Sequence, residues 1–314
     1  MRAEEMERRE PPRVKRTRLG AVRYLNAKPL LFGLERGSFR ERYLIELDPP
    51  SRCALRLATG EVDLALIPSI EFARRPGYLA VPGVCIASDG PAASVLLFCK
   101  DRIERLRSVA VDSSSRSSAA LLRILLRERW GTDPAFHEEP PDLTAMLSRH
   151  DAAMMIGDRA LFARRPGTEQ PDGTTVFDLG AEWKTLTGLP FVFAFWAGRR
   201  GSAGVEEVAA LQSSVEEGLA HLPEIAAGCR WEGLTREDVA LPYLRDHLWY
   251  RWRQRERDGL LRFFLLAGRH GLLEEVPEMS YFPEAGGATA RGRRRGSPWG
   301  EGSTEGWGKK RSSA

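Results

Sequence analysis

Apolar and polar positions follow two alternating patterns along most of the chain. Residues 106–111 form a short run rich in β-branched side chains, which predicts a buried strand. The next stretch, 119–130, places apolar residues such as Leu121 and Leu125 at helical spacing and ends before Gly131. Similar strand-then-helix pairs recur from about residue 18 onward. Strands that alternate with helices predict parallel sheets joined by βαβ crossovers.

The order of these elements predicts an α/β protein of two lobes with a ligand cleft between them. From 203 to about 275 the pattern is helical, including the segment 235–253. The chain crosses back to the first lobe near Thr187 and Gly188, which makes both residues hinge candidates. The predicted boundaries are a first lobe of 18–105 together with 190–284, a second lobe of 106–189, and two disordered tails, 1–17 and 285–314.

Polar or proline-containing residues follow four of the predicted strands. Ligands of open α/β sheets bind beyond the carboxyl ends of the strands, so these junctions are expected to line the cleft. The four junctions are Tyr24–Pro29, Ile67–Ser69, Asp112–Ser118 and Gly157–Arg159.

The junction at Ser113–Ser118 contains five serines and Arg116 within six positions. A helix N-terminus has unpaired N–H groups and a partial positive charge, so it attracts carboxylates and phosphates. One serine is enough to cap a helix. Two interpretations therefore remain at this point: an N-cap with spare serines, or an anion-binding site.

Composition and charge exclude several classes of protein. No apolar run approaches the ~18 residues of a membrane span, and the N-terminus lacks the apolar core of a secretory signal, so a cytoplasmic protein without a membrane partner is expected. The net charge of +4 resides in the tails, because 1–19 carry +3 and 285–314 carry +5, which leaves −4 for 20–284. This distribution is not typical of a nucleic-acid binder. Four cysteines without CxxC spacing and five scattered histidines predict neither a metal site nor a histidine-activated nucleophile.

The chain resembles the chorismate dehydratases of the futalosine route of menaquinone biosynthesis over residues 17–280. The matching motifs, in the expected order, are Arg18–Gly20 with Tyr24–Leu30, Gly60–Pro68, Ser94–Leu97, Ser114–Ser118, Gly157–Leu161 and Thr187–Trp196. The resemblance implies a two-lobed periplasmic-binding-protein-like (type 2) fold. It also implies conversion of chorismate, a small dicarboxylate, to 3-[(1-carboxyvinyl)oxy]benzoate with loss of water and without a cofactor. One departure is Ser117, where the family often has Thr.

The resemblance, together with the position of the polar junctions, nominates the site residues. Asn26 is the candidate catalytic residue, since an amide can orient the substrate or donate to the departing hydroxyl; its structural alternative is the turn before Pro29. Arg116 either pairs with a substrate carboxylate or points to solvent, and Asp158 either binds substrate or caps a helix. The substrate-binding candidates are Ser69, Ser94, Ser114, Ser115, Arg116, Ser117, Ser118, Asp158, Thr187 and Gly188.

Two other functions compete with chorismate dehydratase. The sister enzyme of the pathway, 1,4-dihydroxy-6-naphthoate synthase, is expected to carry an early catalytic histidine, and residues 1–130 contain none. A non-catalytic solute-binding protein of the same fold is expected to carry a signal peptide or a lipoprotein cysteine, and neither motif is present. Both observations favour the dehydratase. The oligomeric state is not predicted.

Overall fold

The computed structural model describes residues 16–37, 39–163 and 174–284. The predicted tails therefore lie outside the described residues, apart from Arg16 and Thr17. Thr17 already pairs with Tyr43 in a sheet, so it belongs to the folded body rather than to the tail.

The elements alternate much as the hydrophobic pattern predicts. The first part contains β1 (Thr17–Val22), α1 (Lys28–Leu31), α2 (Phe39–Arg42), β2 (Tyr43–Asp48), α3 (Pro50–Thr59), β3 (Leu64–Pro68), α4 (Ser69–Ala73), β4 (Tyr78–Ala80) and β5 (Val84–Ser88). The middle part contains β6 (Val95–Cys99), β7 (Ser108–Asp112), α5 (Ser117–Arg129), β8 (Ala135–Glu139), α6 (Leu143–Arg149), β9 (Ala152–Ile156), α7 (Gly157–Ala163), β10 (Thr175–Asp178) and α8 (Leu179–Thr187). The last part contains β11 (Phe191–Arg199), α9 (Val205–Ala220), α10 (Leu222–Ala227), β12 (Arg230–Trp231), β13 (Leu234–Thr235), α11 (Glu237–Pro242), β14 (Trp249–Arg251) and α12 (Gln254–Arg269).

Two sheets form the centres of two lobes. The first sheet has the order β14-β5-β11-β3-β1-β2, with β4 also on β11, and the second has the order β10-β6-β9-β7-β8. Each sheet contains parallel neighbours, β1 with β3 in the first and β7 with β9 in the second. Strands β3, β5, β6 and β9 are buried along their whole length, because helices cover both faces of such sheets.

The chain changes sheets earlier than the sequence suggests. The first lobe was expected to extend to residue 105, whereas β6 pairs with β9 and β10 of the second sheet. The first crossing therefore lies between Ser88 and Val95, and the return lies between Thr187 and Phe191. Both β5 and β6 are short and apolar, so their hydrophobic pattern alone does not show that they belong to different sheets.

The segment 235–253 is not the continuous helix that its apolar spacing predicts. Helix α11 ends at Pro242, a π-helical turn covers Tyr243–His247, and β14 then joins the edge of the first sheet beside β5. In β14 exposure alternates, with Tyr250 buried between two exposed neighbours, which is the strand period. Tertiary pairing with β5 decides the conformation of this short segment.

Within the described residues, no helix combines the length and the apolar character that crossing a membrane requires.

Candidate active site

A cavity lies between the two sheets, at the carboxyl ends of several strands. Strands β1, β3 and β9 each present their last residue to it, and the segment after β7 forms another wall. This is the position that ligands of α/β sheets occupy. The lining residues are Val22, Tyr24, Asn26, Pro50, Pro68, Ile86, Ser94, Val95, Ser115, Arg116, Ser117, Ser118, Ile156, Gly157, Phe193, Ala194 and Leu248.

Two polar atoms of this lining are buried without a hydrogen-bond partner among the described residues. They are Asn26 Oδ1 and Ser115 Oγ. A buried polar atom that forms no hydrogen bond costs about 1–3 kcal/mol, and such atoms are rare in native structures. Because both atoms border the same cavity from opposite lobes, a ligand with polar groups would satisfy them together.

The N-terminus of α5 forms the wall of the cavity opposite Asn26. Arg116 occupies the N-cap position, and no side chain caps the helix. The serines therefore do not act as the conventional cap that was one interpretation of this segment. The first N–H groups of the helix, beginning at Ser117 and Ser118, lack intrahelical acceptors and favour an anion.

Ser69 and Ser117 connect the two lobes behind the cavity. The Ile70 N–H donates to Ser117 Oγ (3.1 Å), Ser117 Oγ lies 3.1 Å from Ser69 Oγ, and Ser69 Oγ donates to the Val192 carbonyl (2.8 Å). Since the Ser69 hydrogen points to Val192, Ser117 is the donor to Ser69. Both hydroxyls are thus saturated by protein groups, and Ser69 does not line the cavity.

Tyr24 bridges the lobes at the other side of the cavity. Ser114 donates its hydroxyl hydrogen to Asp112 Oδ1 (2.7 Å), so the Tyr24 hydroxyl, 3.1 Å away, donates to Ser114 Oγ. The Tyr24 ring lies directly over Gly157, where a Cβ atom would be 2.7 Å from the ring. Burial raises the pKa of both Tyr24 and Asp112, the latter being only 1% exposed.

Asp158 positions Asn26 rather than lining the cavity. Its carboxylate accepts the backbone N–H of Leu25 across the lobe boundary (2.9 Å) and so fixes the 3-10 turn Leu25–Ala27 that carries Asn26. Burial raises the pKa of Asp158, and the hydrogen bond from Leu25 opposes that shift. The Asn26 side chain itself faces the cavity.

The remaining candidates have structural partners at the edge of the site. The Arg116 guanidinium pairs with Glu138 (3.0 Å) at the surface. The Thr187 hydroxyl donates to the Trp183 carbonyl (2.9 Å), and Gly188 ends α8 in the left-handed conformation with φ 71°. Neither Thr187 nor Gly188 borders the cavity, although both lie where the chain returns to the first lobe.

No cluster of three or more His, Cys, Asp or Glu side chains in the described part of the chain is arranged to hold a metal ion. The four cysteines, all within that part, are buried and unpaired.

The sequence of this site matches a defined family. The family model described as menaquinone biosynthesis matches residues 17–269, which include both sheets and every wall of the cavity. The chain belongs to this family.

One curated relative of this chain is the chorismate dehydratase of Thermus thermophilus. The two are 34% identical over 257 residues, which cover 77% of this chain and 91% of the relative. An alignment of this length extends well beyond isolated motifs.

Solved structures confirm the fold predicted from the sequence. An Archaeoglobus fulgidus protein superposes with a TM-score of 0.63 at 17% identity and covers 82% of this chain and 98% of its own. The periplasmic aliphatic sulphonate binding protein SsuA of Escherichia coli superposes with a TM-score of 0.57 at 17% identity, over 91% and 98% of the two chains. The chain therefore has the periplasmic-binding-protein-like α/β fold.

Sequence reasoning left Tyr243 out of the site of this family member. The stripe formed by Tyr243 and Leu244 is typical of a helix core, whereas the structure places the Tyr243 hydroxyl 2.8 Å from Ser94 Oγ. Asn26 offered a signal beyond its motif, because it is the only asparagine in the sequence.

Proposed function

We propose that the chain is a chorismate dehydratase, a hydro-lyase that converts chorismate to 3-[(1-carboxyvinyl)oxy]benzoate and water. The observation that carries this proposal is the pair of unsatisfied polar atoms, Asn26 Oδ1 and Ser115 Oγ, on opposite walls of one cavity at the N-terminus of α5. The relative named chorismate dehydratase supports this reaction, and the family model supports a role in menaquinone biosynthesis.

The helix N-terminus and the serine hydroxyl on one wall of the cavity suit a carboxylate of a small substrate. One carboxylate is placed at the N-terminus of α5, where the N–H groups of Ser117 and Ser118 and the Ser115 hydroxyl act as donors. The ring hydroxyl faces Asn26 across the cavity. The apolar lining residues Ile86, Phe193 and Leu248 contact the ring.

The reaction needs a base for the ring proton, and the cavity lining contains no carboxylate and no histidine among the described residues. We therefore assign the base to the enolpyruvyl carboxylate of the substrate. The C–H bond breaks first, and its electron pair spreads toward the ring carboxylate, where the helix N–H groups stabilise the charge. The C–O bond then breaks, the hydroxyl takes the proton from the enolpyruvyl carboxylate and leaves as water, and the ring becomes aromatic. Asn26 orients the departing hydroxyl but cannot itself act as a base at neutral pH.

The direct test is incubation of the purified protein with chorismate, with the aromatic product followed by absorbance and identified by mass. Asn26→Asp is expected to retain the fold and lose most of the activity, since a charged group replaces the amide beside the departing hydroxyl. Near-normal turnover of Asn26→Asp would exclude a catalytic amide. Tight binding of chorismate without any product from the wild-type protein would favour a non-catalytic solute-binding protein instead.

Asn26 also provides a measurement that does not require turnover. Because it is the only asparagine, labelling with ¹⁵N-asparagine gives a single pair of side-chain amide resonances. Addition of the aromatic product should shift that pair. Unchanged resonances at saturating product would contradict the placement of the ligand beside Asn26.

A further inference from the structure

Tyr243 lies behind the cavity in a segment of unusual backbone geometry. It is the first residue of the π-helical turn Tyr243–His247 that follows Pro242, and it is only 2% exposed. Such turns are rare and occur frequently at functional sites. Leu248, the first residue after the turn, lines the cavity.

The Tyr243 hydroxyl donates a hydrogen bond to Ser94 Oγ at 2.8 Å. Burial raises the pKa of Tyr243, so its hydroxyl stays protonated and acts as a donor. Ser94 Oγ is then the acceptor, and its own hydrogen is free for another partner. Among the described residues no other hydrogen bond involves the Ser94 side chain, which faces the cavity. The bond from Tyr243 thus leaves Ser94 as a donor toward a bound ligand.

The backbone before Ser94 is held in a strained conformation. Ala93 has φ 59°, in the left-handed region that is unfavourable for residues other than glycine. Its N–H donates to Asp178 Oδ2 at 2.7 Å, and the preceding Ala92 N–H donates to the other oxygen of that carboxylate. Asp178 therefore holds the backbone that precedes Ser94, and Tyr243 holds the Ser94 side chain. Strain that is maintained by such contacts is characteristic of functional sites.

Tyr243 itself does not line the cavity. Its hydrogen bond to Ser94, which does line it, is the contact through which Tyr243 can act on the site.

We propose that Tyr243 is a positioning residue, whose hydroxyl orients Ser94 as a hydrogen-bond donor to the substrate. The inference rests on the proposed function for the identity of the substrate. It assigns a role to a side chain that would never touch chorismate.

The test uses Tyr243→Phe with Tyr250→Phe as a matched control. Tyr250 is equally buried at 2% exposure, but its hydroxyl has no hydrogen-bond partner among the described residues. Tyr243→Phe should lower kcat/KM about tenfold to hundredfold, which is the range for one oriented hydrogen bond. Tyr250→Phe should remain within about twofold of wild type, since it removes a hydroxyl that makes no bond. Equal losses in both variants would overturn the proposal.

A double-substitution cycle with Ser94→Ala separates positioning from a general structural role. If Tyr243 acts through Ser94, Tyr243→Phe should cause a smaller loss of kcat/KM in the Ser94→Ala background than in the wild-type background. On a logarithmic scale the loss should be less than half as large. Losses that multiply would overturn the proposal, because they would show that Tyr243 acts independently of Ser94.

Titration of the aromatic product against the ¹⁵N-asparagine resonances measures its affinity without any turnover. Tyr243→Phe should weaken that affinity several-fold and Tyr250→Phe should not; equal affinities in both variants and in wild type would overturn the role assigned to Tyr243. Failure of the proposed function has a different signature: wild-type protein would give no product from chorismate, whatever the affinities of the variants.

Discussion

Substitution of Ser117 by alanine separates a substrate-binding role from a structural one. In the structure the Ser117 hydroxyl accepts the Ile70 N–H and donates to Ser69, which donates in turn to Val192. Ser117→Ala removes the central hydroxyl of this series of hydrogen bonds. The buried Ile70 N–H then has no acceptor, which costs about 1–3 kcal/mol. Ser69 retains its bond to Val192, so the loss is confined to the two bonds of Ser117.

The assay is urea-induced unfolding followed by circular dichroism, together with the KM for chorismate. Ser117→Ala should lower the unfolding free energy by about 1–3 kcal/mol through a lower midpoint at unchanged slope. The matched control is Ser117→Thr, which retains the hydroxyl and should cost less than about 1 kcal/mol, as it adds only one methyl group. If Ser117→Ala leaves the midpoint unchanged and raises KM at least tenfold, the hydroxyl binds substrate and the structural assignment is refuted.

Two further substitutions test how the lobes are held together. Gly157→Ala should destabilise the protein by about 2–4 kcal/mol and raise KM. The reason is that φ 64° is strained for alanine and that the new Cβ would lie 2.7 Å from the Tyr24 ring. A urea midpoint equal to that of wild type would contradict this expectation. Asp158→Asn keeps an acceptor for the Leu25 N–H, whereas Asp158→Ala loses it and should cost about 1–3 kcal/mol at pH 7. Burial raises the pKa of Asp158 in the folded state, so the folded protein binds the proton more tightly than the unfolded chain and wild-type stability falls as pH rises through the interval between the two pKa values. As the pH is raised from 3, the urea midpoint of wild type should therefore fall relative to that of Asp158→Asn. A wild-type midpoint that rises relative to that of the variant would refute the sign of the pKa shift.

The local elements could largely be predicted because each depends on neighbouring residues. The strand before the serine run, the helix after it and the short helix α6 with Asp142 as its N-cap follow from local spacing and capping. The position of β6 could not be predicted in this way. Its five residues are all buried and apolar, and such a strand fits either sheet until its partners β9 and β10 are known.

The sequence likewise predicted polar residues that line the cavity but not which of them are free to bind a ligand. The motifs nominated Asn26, Ser94 and Ser115, and all three line one cavity. Asn26 and Ser115 do so because residues that follow parallel strands meet at the carboxyl edge of the sheet, whereas Ser94 precedes the antiparallel strand β6. They did not separate Ser115, whose hydroxyl has no partner, from Ser117, whose hydroxyl is saturated. That difference depends on Ile70, which is distant in the chain and adjacent only in the fold.

By itself, the sequence of this protein determined the α/β class, the family and the strand-to-helix junctions that form the cavity, since these follow from hydrophobic period, helix termini and local motifs. Only the tertiary structure decided which sheet each short strand joins, which serine hydroxyls remain unpaired, and that Tyr243 reaches Ser94. Hydrogen-bond saturation is a property of groups brought together from distant parts of the chain, and no local pattern records it.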